Sequence, residues 1–238
     1  MATDKDRPNP PWQQLPQGRE RKPARTPLSR ERIVDAALEV LVAEGYDAVS
    51  MRRVAQELGT GAASLYAHVA NKQELDQLMV DRVGQSFEVP DPDPERWQEQ
   101  VAQLMRDMLG AMRSYPGVAR AAIGQIPLGE HALYSTDRIL AILRAAGLPD
   151  QVCAYAVDFI SLYVCAVAFE EAVQGAASWT PEDVEKFVSE LRDWFAALPA
   201  DRYPNIVALA APLTAGGGDE RFEFGVKVIV GGLAAFLD

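Results

Sequence analysis

Apolar residues along this chain recur at the spacing of a helix, and no stretch of useful length alternates apolar and polar residues as a half-buried strand does. Ile33, Ala37, Val40 and Leu41, for example, fall at i, i+4, i+7 and i+8 and therefore share one face of a helix. A chain with helical periodicity alone buries its apolar residues by packing helix on helix. The sequence therefore predicts an all-α fold.

Capping residues and glycine stops give approximate bounds for these helices. Four short helices are expected over about residues 29–45, 50–58, 62–69 and 71–83. Asn71 with Glu74 three positions later forms a capping box at the start of the fourth. Longer helices are expected over about residues 97–115, 130–146, 150–174 and 220–237. Another helix is expected to start at Thr180, because a capping residue, a proline and two acidic residues follow one another there.

Proline-rich segments divide the chain into three parts. Residues 1–28 contain six prolines and carry six basic against three acidic residues, so they are expected to form a disordered basic arm. Such an arm could reach phosphates or a minor groove, and a solvated tail is the alternative. Three prolines at positions 90, 92 and 94 then separate a small helical domain, residues 29–89, from a larger one, residues 90–238.

The chain is acidic, with a net charge of −11, but the charge is unevenly distributed. Residues 1–90 hold 12 basic and 13 acidic residues, a net of −1, whereas the rest holds 11 and 21, a net of −10. A local basic face in the first part can therefore still bind nucleic acid.

Cys153 and Cys165 lie in an apolar stretch without metal-ligand spacing, which indicates buried thiols in a reducing cytoplasm.

The most informative segment is residues 50–72, SMRRVAQELGTGAASLYAHVANK. Two short helices are joined by a tight turn that contains Gly59 and Gly61. In a helix-turn-helix of this kind the first helix crosses the DNA backbone and the second enters the major groove. Because similar helix pairs occur in proteins that do not bind DNA, the pattern alone leaves that function open.

Residues 29–83 resemble the DNA-binding domain of the TetR family of repressors. The resemblance rests on the turn at Gly45 and on Ala55, Leu58-Gly59, Leu65-Tyr66, His68-Val69 and Asn71-Lys72. The later part is similar to the C-terminal domain of the tetracycline-repressor branch at Trp97, Tyr115-Pro116 and residues 145–147, 163–170 and 222–225. Between them the two resemblances cover most of residues 29–238.

This resemblance implies roles for nine residues in DNA binding. Tyr66 and Lys72 would contact phosphates, Arg52 would reach base edges, and the hydroxyls of Thr60 and Ser64 would touch bases or phosphates. Ser50 would contact a phosphate, and Ala62 and Ala63 would contact thymine methyl groups. His68 would lie near a phosphate. Alternatives stay open: Tyr66 can pack on the first helix, and one of Arg52 and Arg53 can simply be solvated.

The larger domain is expected to enclose a ligand between its helices. Candidate lining residues are Met105, Met108, Met112, Phe159, Tyr163 and Phe169, because methionines and aromatic rings adapt to varied apolar ligands. Such stripes also occur as ordinary core. The tetracycline branch uses a metal-drug chelate, but its histidine ligand has no secure match here, so the resemblance carries over no metal and no cofactor.

Catalytic and metal-binding patterns do not occur in the sequence. His68 and His131 are the only histidines, and neither has ligands at metal-binding spacing. The chain also lacks G-x-S-x-G, H-E-x-x-H and a glycine-rich phosphate loop, and Gly216–Gly218 follows no strand. The sequence therefore predicts a protein that is not an enzyme.

The segment 150–174 is almost wholly apolar and needs cover on all sides. Residues 152–169 approach the length of a membrane span, but they are alanine-rich and have acids rather than basic residues at both ends. A buried helix is therefore favoured. With the last helix, which contains Gly225, Gly231 and Gly232, it is expected to form a four-helix interface between two chains. Burial within one chain is the alternative.

Together these observations predict a cytoplasmic, homodimeric transcription regulator that binds operator DNA and acts as a repressor released by an unknown small molecule. Two alternatives from other classes remain. A helical interaction module without sequence-specific DNA binding fits the small side chains of the predicted recognition helix, Gly61, Ala62 and Ala63. A helical enzyme is the second alternative, and no catalytic pattern supports it.

Overall fold

The computed structural model describes residues 27–175 and 179–237, and within them it contains only helices, turns and loops. The predicted all-α fold is confirmed. In chain order the α-helices are α1 Arg30–Glu44, α2 Met51–Glu57, α3 Ala62–Leu65, α4 Lys72–Gly84, α5 Trp97–Arg113, α6 Val118–Ala122, α7 Glu130–Ala145, α8 Asp150–Gly175, α9 Pro181–Ala196, α10 Pro204–Ala208, α11 Ala210–Leu213 and α12 Gly218–Ala234. The predicted basic arm lies almost entirely outside the described residues.

Local capping signals place the helix starts correctly. Ser29 accepts a hydrogen bond from the Arg32 amide at 3.3 Å, and Ser50 accepts one from the Arg53 amide at 3.2 Å. At α9 the side chain of Thr180 accepts from the Asp183 amide, and Asp183 accepts in return. Each bond satisfies an amide that the first turn of a helix leaves free, so these starts are encoded locally.

Two details differ from the sequence-based expectation. Glu74 accepts from the amide of Ala70 rather than from that of Asn71, so the capping box at α4 is displaced by one residue. The third helix ends at Leu65 rather than near Val69. The amides of both His68 and Val69 bond to the Leu65 carbonyl, each at 2.9 Å, so the chain closes into a turn there.

The buried residues form two cores that meet between the domains. The first core lies among α1, α2, α3 and α4 but also includes Ala111 of α5 and Val118 of α6. The second lies among α5, α7, α8 and α12. Phe87 and Met112 pack against both cores. Helix α4 joins the two domains through contacts with α6, α7 and α5, of which the contact with α6 is the most extensive.

Helix α8 carries two apolar stripes, and only one is buried within the chain. The buried stripe consists of Cys153, Ala156, Ile160, Val164, Cys165 and Ala168. The exposed stripe consists of Tyr155, Phe159, Leu162, Ala166, Phe169 and Val173, at alternating spacings of four and three. This spacing is that of a helix-helix seam. Both cysteines are free and buried, as expected.

Of the helices in the described ranges, α8 is the one long and apolar enough to cross a membrane, although only 33% of its most apolar window is buried in the chain. Its buried stripe packs on α5 and α7, as in the core helix of a helical domain. Helix α12 has a similar exposed stripe at the same spacings, formed by Phe224, Val228 and Gly231 and continued by Ala235, the residue directly after the helix.

The glycines of α12 do not all serve the same purpose. A Cβ at Gly231 or Gly232 would meet nothing within 4 Å apart from neighbouring residues of its own helix, so both positions are open on the outer surface. A Cβ at Gly225 would overlap the hydroxyl of Tyr163 in α8. This hydroxyl donates to the Phe222 carbonyl at 3.2 Å. Within the single chain the close approach at Gly225 is therefore to α8, and the expected role of this glycine between chains stays a prediction.

Three short helices, α6, α10 and α11, were missed by the sequence analysis. They contain five, five and four residues, too few for an apolar period to be recognised. Helices α10 and α11 pack against α9, which itself has no buried residue. Helix α9 therefore projects from the domain, with Phe187 and Trp194 among its exposed apolar side chains.

An interdomain hydrogen bond caps α7. Gly129, the N-cap residue, has no side chain for this purpose, and the carboxylate of Asp81 in α4 accepts from the Ala132 amide at 2.9 Å instead. A Cβ at Gly129 would overlap this carboxylate and lie 2.7 Å from the Asp81 Cβ. This hydrogen bond therefore joins the first turn of α7 to α4, the helix that follows the helix-turn-helix.

Candidate DNA-binding surface

Helices α2 and α3 form a compact helix-turn-helix. Val54 and Ala55 of α2 and Leu65 of α3 are buried against the first core. The turn between them needs a left-handed residue, which Gly59 supplies with φ of 61°, and the Thr60 amide closes it by donating to the Ala55 carbonyl at 2.9 Å. The inner faces of both helices are thereby fixed, and their other faces point to solvent.

The nine residues predicted to contact DNA lie on or beside this pair of helices. Five are exposed, namely Ser50, Arg52, Ala63, Ser64 and Tyr66, and four are partly buried, namely Thr60, Ala62, His68 and Lys72. Tyr66 is 54% exposed, so about half of this residue is accessible to a partner, and the alternative that it packs on the first helix stays open. Side-chain access is therefore compatible with the predicted contacts, which stay predictions.

The two adjacent arginines of α2 have different environments. Arg53 donates from Nε to Glu44 at 2.9 Å and forms an ion pair with Glu57 at 2.8 Å. Arg52 is exposed and makes no ion pair with a residue in the described ranges. Of the two guanidinium groups, that of Arg52 is therefore the one available to an external partner, whereas Arg53 joins α2 to the end of α1.

Lys72 belongs to a polar cluster that the sequence analysis missed. Its ammonium forms an ion pair with the buried carboxylate of Asp76 and lies 4.3 Å from the centre of the Tyr46 ring. The Tyr46 hydroxyl donates to the other oxygen of Asp76 at 3.0 Å. The available signal was the position of Asp76, between the buried residues Leu75 and Met79 of α4, where a carboxylate needs partners.

Burial and the hydrogen bond to Asp76 raise the pKa of Tyr46 to about 12. In an unfolded chain a tyrosine loses its proton near pH 10, so the unfolded state ionises first as the pH rises. The contribution of Tyr46 to the free energy of unfolding should therefore be complete below about pH 10 and be lost as the pH rises through about 12. Tyr46→Phe should remove this part of the alkaline loss of stability, measured by urea unfolding.

The buried thiol of Cys165, whose pKa burial raises to about 11, acts over an overlapping range of pH. Cys165→Ala is therefore the companion variant, and the double variant should be less sensitive to alkali than either single one. If Tyr46→Phe loses as much stability as the wild type on going from about pH 9 to about pH 11, Tyr46 does not retain its proton in the folded state.

The structure places the six candidate ligand-lining residues in two different environments. Met105 is fully buried in the second core, and Met108, Met112 and Tyr163 pack against that core. Phe159 and Phe169 instead belong to the exposed stripe of α8. A cleft of about 480 Å³ lies elsewhere, between α1, α4 and the start of α7, and Arg30 and Asp81 are among the residues that line it.

Comparison with known proteins shows two matches to family models. Residues 33–77 match the family described as bacterial regulatory proteins, tetR family, and residues 89–237 match the tetracyclin repressor-like C-terminal domain. The second match alone covers more than half of the chain. The chain belongs to the TetR family. Its helix-turn-helix is therefore a DNA-binding element, and this TetR-family protein is a transcription regulator rather than an enzyme, as the sequence predicted.

Individual relatives agree with this assignment. The repressor DrrR1 of Streptomyces coeruleorubidus is 33% identical over 91% of this chain and 82% of its own length. ActR of Streptomyces coelicolor, in its structure with actinorhodin, is 43% identical, with a TM-score of 0.81 over 88% of this chain and 97% of ActR. The class D tetracycline repressor of Escherichia coli is 29% identical over 63% of this chain and 69% of its own length. A further structure of ActR contains (S)-DNPA.

Proposed function

We propose that this TetR-family protein is a cytoplasmic repressor that binds its operator as a homodimer and is released by a small-molecule ligand. The observation that carries the proposal is the similarity to ActR over nearly the whole chain, because structures of ActR hold actinorhodin and (S)-DNPA. The similarity to DrrR1, which is named as a repressor, supports repression rather than activation. Actinorhodin is therefore the first ligand to test.

The homodimer is supported by the exposed stripes of α8 and α12. Phe159 and Leu162 of α8 and Phe224 and Val228 of α12 are all more than half exposed, with the spacing of a helix seam. Two copies of each helix would cover these residues in a four-helix interface. We assign Phe159 and Phe169 to this interface and keep Met105, Met108, Met112 and Tyr163 as lining of the ligand site.

A two-fold dimer would present two recognition helices to a pseudo-palindromic operator, with half-sites about 34–36 Å apart. In this mechanism the ligand binds more tightly to the conformation that does not fit DNA and so lowers operator affinity. Linkage requires that the operator lower ligand affinity by the same factor. The contact between α4 and the helices α6 and α7 is the route by which the two sites would be coupled.

A mobility-shift experiment on the DNA upstream of the coding sequence tests the proposal. The wild-type protein should bind this DNA, and actinorhodin should release it. Tyr66→Phe combined with Lys72→Ala should weaken binding to all sequences alike and lower the dependence of affinity on salt by about one phosphate contact, because both residues are assigned to the DNA backbone.

Glu88→Gln is the matched control, since it changes one charge at an exposed position beyond the end of α4. It should leave both the preferred sequence and the release unchanged. Binding that persists at full affinity in the Tyr66 and Lys72 double variant at low salt would contradict the assigned contacts. Binding that no concentration of actinorhodin reverses would contradict this choice of ligand.

A further inference from the structure

The carboxylate of Asp76 is an unusual feature of the DNA-binding domain. Asp76 is 4% exposed, and it is the one acidic residue among the buried residues in the described part of the chain. Taking a carboxylate out of water is costly unless it is paired and hydrogen-bonded. Asp76 meets this condition with two partners, the ammonium of Lys72 and the hydroxyl of Tyr46.

The arrangement leaves Lys72 restrained but accessible. Its ammonium has three hydrogens to donate. The Asp76 carboxylate accepts one bond, and the face of the Tyr46 ring lies 4.3 Å away. The Lys72 side chain is nevertheless 33% exposed, so it remains partly accessible at the first turn of α4.

Tyr46 is itself held from the other domain. Gly117, whose φ is 93°, lies beside it, since a Cβ there would be in van der Waals contact with the Tyr46 Cβ at 3.7 Å. The guanidinium of Arg120 in α6 lies 5.1 Å from the Tyr46 ring and pairs with Asp47 at 2.8 Å. The ring against which Lys72 rests is thus fixed in position by α6 and the turn before it.

We propose that Asp76 is a positioning residue for DNA binding, which together with Tyr46 holds the Lys72 ammonium ready for a phosphate of the DNA backbone. The inference rests on the contact assigned to Lys72 under the proposed function. A free lysine side chain must be ordered when it binds, and that loss of entropy weakens binding. In this protein the lysine is ordered when the chain folds.

Simple electrostatics predicts the opposite sign. Asp76 is a negative charge close to a proposed phosphate contact, so its removal should strengthen binding to DNA if charge alone mattered. A positioning role predicts weaker binding after its removal, because Lys72 then moves freely in water. The direction of the change in affinity therefore distinguishes the two roles.

The test is a double-mutant cycle with Asp76→Asn and Lys72→Ala in the full chain, measured as affinity for the upstream duplex over a range of salt concentrations. Asp76→Asn should lower affinity about ten-fold, which corresponds to about 1.4 kcal/mol. Lys72→Ala should cost about ten-fold in the wild type but less than two-fold in the Asp76→Asn background. The salt slope of Asp76→Asn should fall by about 0.9, the value for one phosphate contact.

Asp35→Asn is the matched control, because Asp35 of α1 is a carboxylate of the same domain that pairs with Arg82 at 2.9 Å rather than with Lys72 or Tyr46. It should not lower affinity, and Lys72→Ala should keep its full cost in that background. Unchanged or increased affinity of Asp76→Asn, or additive costs in its cycle, would overturn the proposal. A wild-type protein that binds while Lys72→Ala has no effect would overturn this inference and leave the proposed function standing.

Asparagine keeps an acceptor for the Tyr46 hydroxyl, and thermal unfolding followed by circular dichroism shows whether the variant folds. If it does not fold, Tyr46→Leu takes its place, since it removes the aromatic face and leaves the ion pair. This variant should lower affinity about three-fold and be non-additive with Lys72→Ala. Additive costs in that second cycle would equally overturn the proposal.

Discussion

Replacing Phe159 and Leu162 by glutamate should convert the protein to a monomer and abolish specific operator binding. Both side chains are more than half exposed in the single chain and lie in the middle of the α8 stripe. Burying each of them at an interface contributes about 1.5–3 kcal/mol, and a glutamate there adds the cost of a desolvated charge. Since each protomer carries both changes, the dimer dissociation constant should rise at least about 1,000-fold.

Loss of the dimer should remove operator binding because one helix-turn-helix makes too few contacts for specificity. Specific binding typically exceeds non-specific binding about 10³-fold or more, and the monomer should show only the latter. Sedimentation and mobility shift report the two effects separately. Leu133→Glu with Tyr134→Glu, on exposed positions of α7, is the matched control and should stay dimeric. A wild-type chain that sediments as a monomer at micromolar concentration would refute the proposed dimer.

The second large effect is expected at Gly129. Alanine there places a Cβ within the Asp81 carboxylate, so the hydrogen bond to the Ala132 amide must break or the two helices must separate. Loss of a cap costs about 1 kcal/mol and the overlap adds about 1–2 kcal/mol. Gly129→Ala should therefore lower the melting temperature by about 5–10 °C, measured by calorimetry.

Gly110→Ala is the matched control, since Gly110 is an exposed residue inside α5 whose Cβ would meet nothing within 4 Å. Alanine is a better helix former there and should stabilise the protein by up to about 1 kcal/mol. In an Asp81→Ala background the cost of Gly129→Ala should be clearly smaller, because the carboxylate is gone, and the cost that remains comes from the Cβ at position 81, 2.7 Å from the added methyl group. Equal costs in both backgrounds would show that Asp81 is not the cause.

Structure that depends on residues close together in the sequence could be predicted, whereas structure that depends on residues far apart could not. Ser29, Ser50 and Thr180 bond to amides three residues away, so a short window of sequence contains the whole cap. The bond between Asp81 and Ala132 spans 51 residues, and that between Tyr46 and Asp76 spans 30. No local pattern indicates such pairs, because the first forms only when the two domains pack together and the second only when α4 packs against the turn after α1.

Helix α8 illustrates a different limit. Its sequence is apolar around most of the circumference, which correctly predicts that more than one face needs cover but gives no direction to any single side chain. Phe159 and Met105 were therefore assigned to the same pocket, whereas one is exposed and the other fully buried. The resemblance to a family could assign DNA contacts to particular positions, since they lie within a single short segment, and these contacts stay predictions.

The cap that α4 supplies to α7 also constrains how such regulators can be recombined. A chimera that joins the DNA-binding half of one relative to the effector-binding half of another, cut near residue 89, separates Asp81 from Gly129. An acidic side chain without its glycine partner would clash, and a glycine without the carboxylate would leave the first turn of α7 uncapped. Exchange of effector specificity between relatives should therefore succeed most readily when these two positions are transferred as a pair.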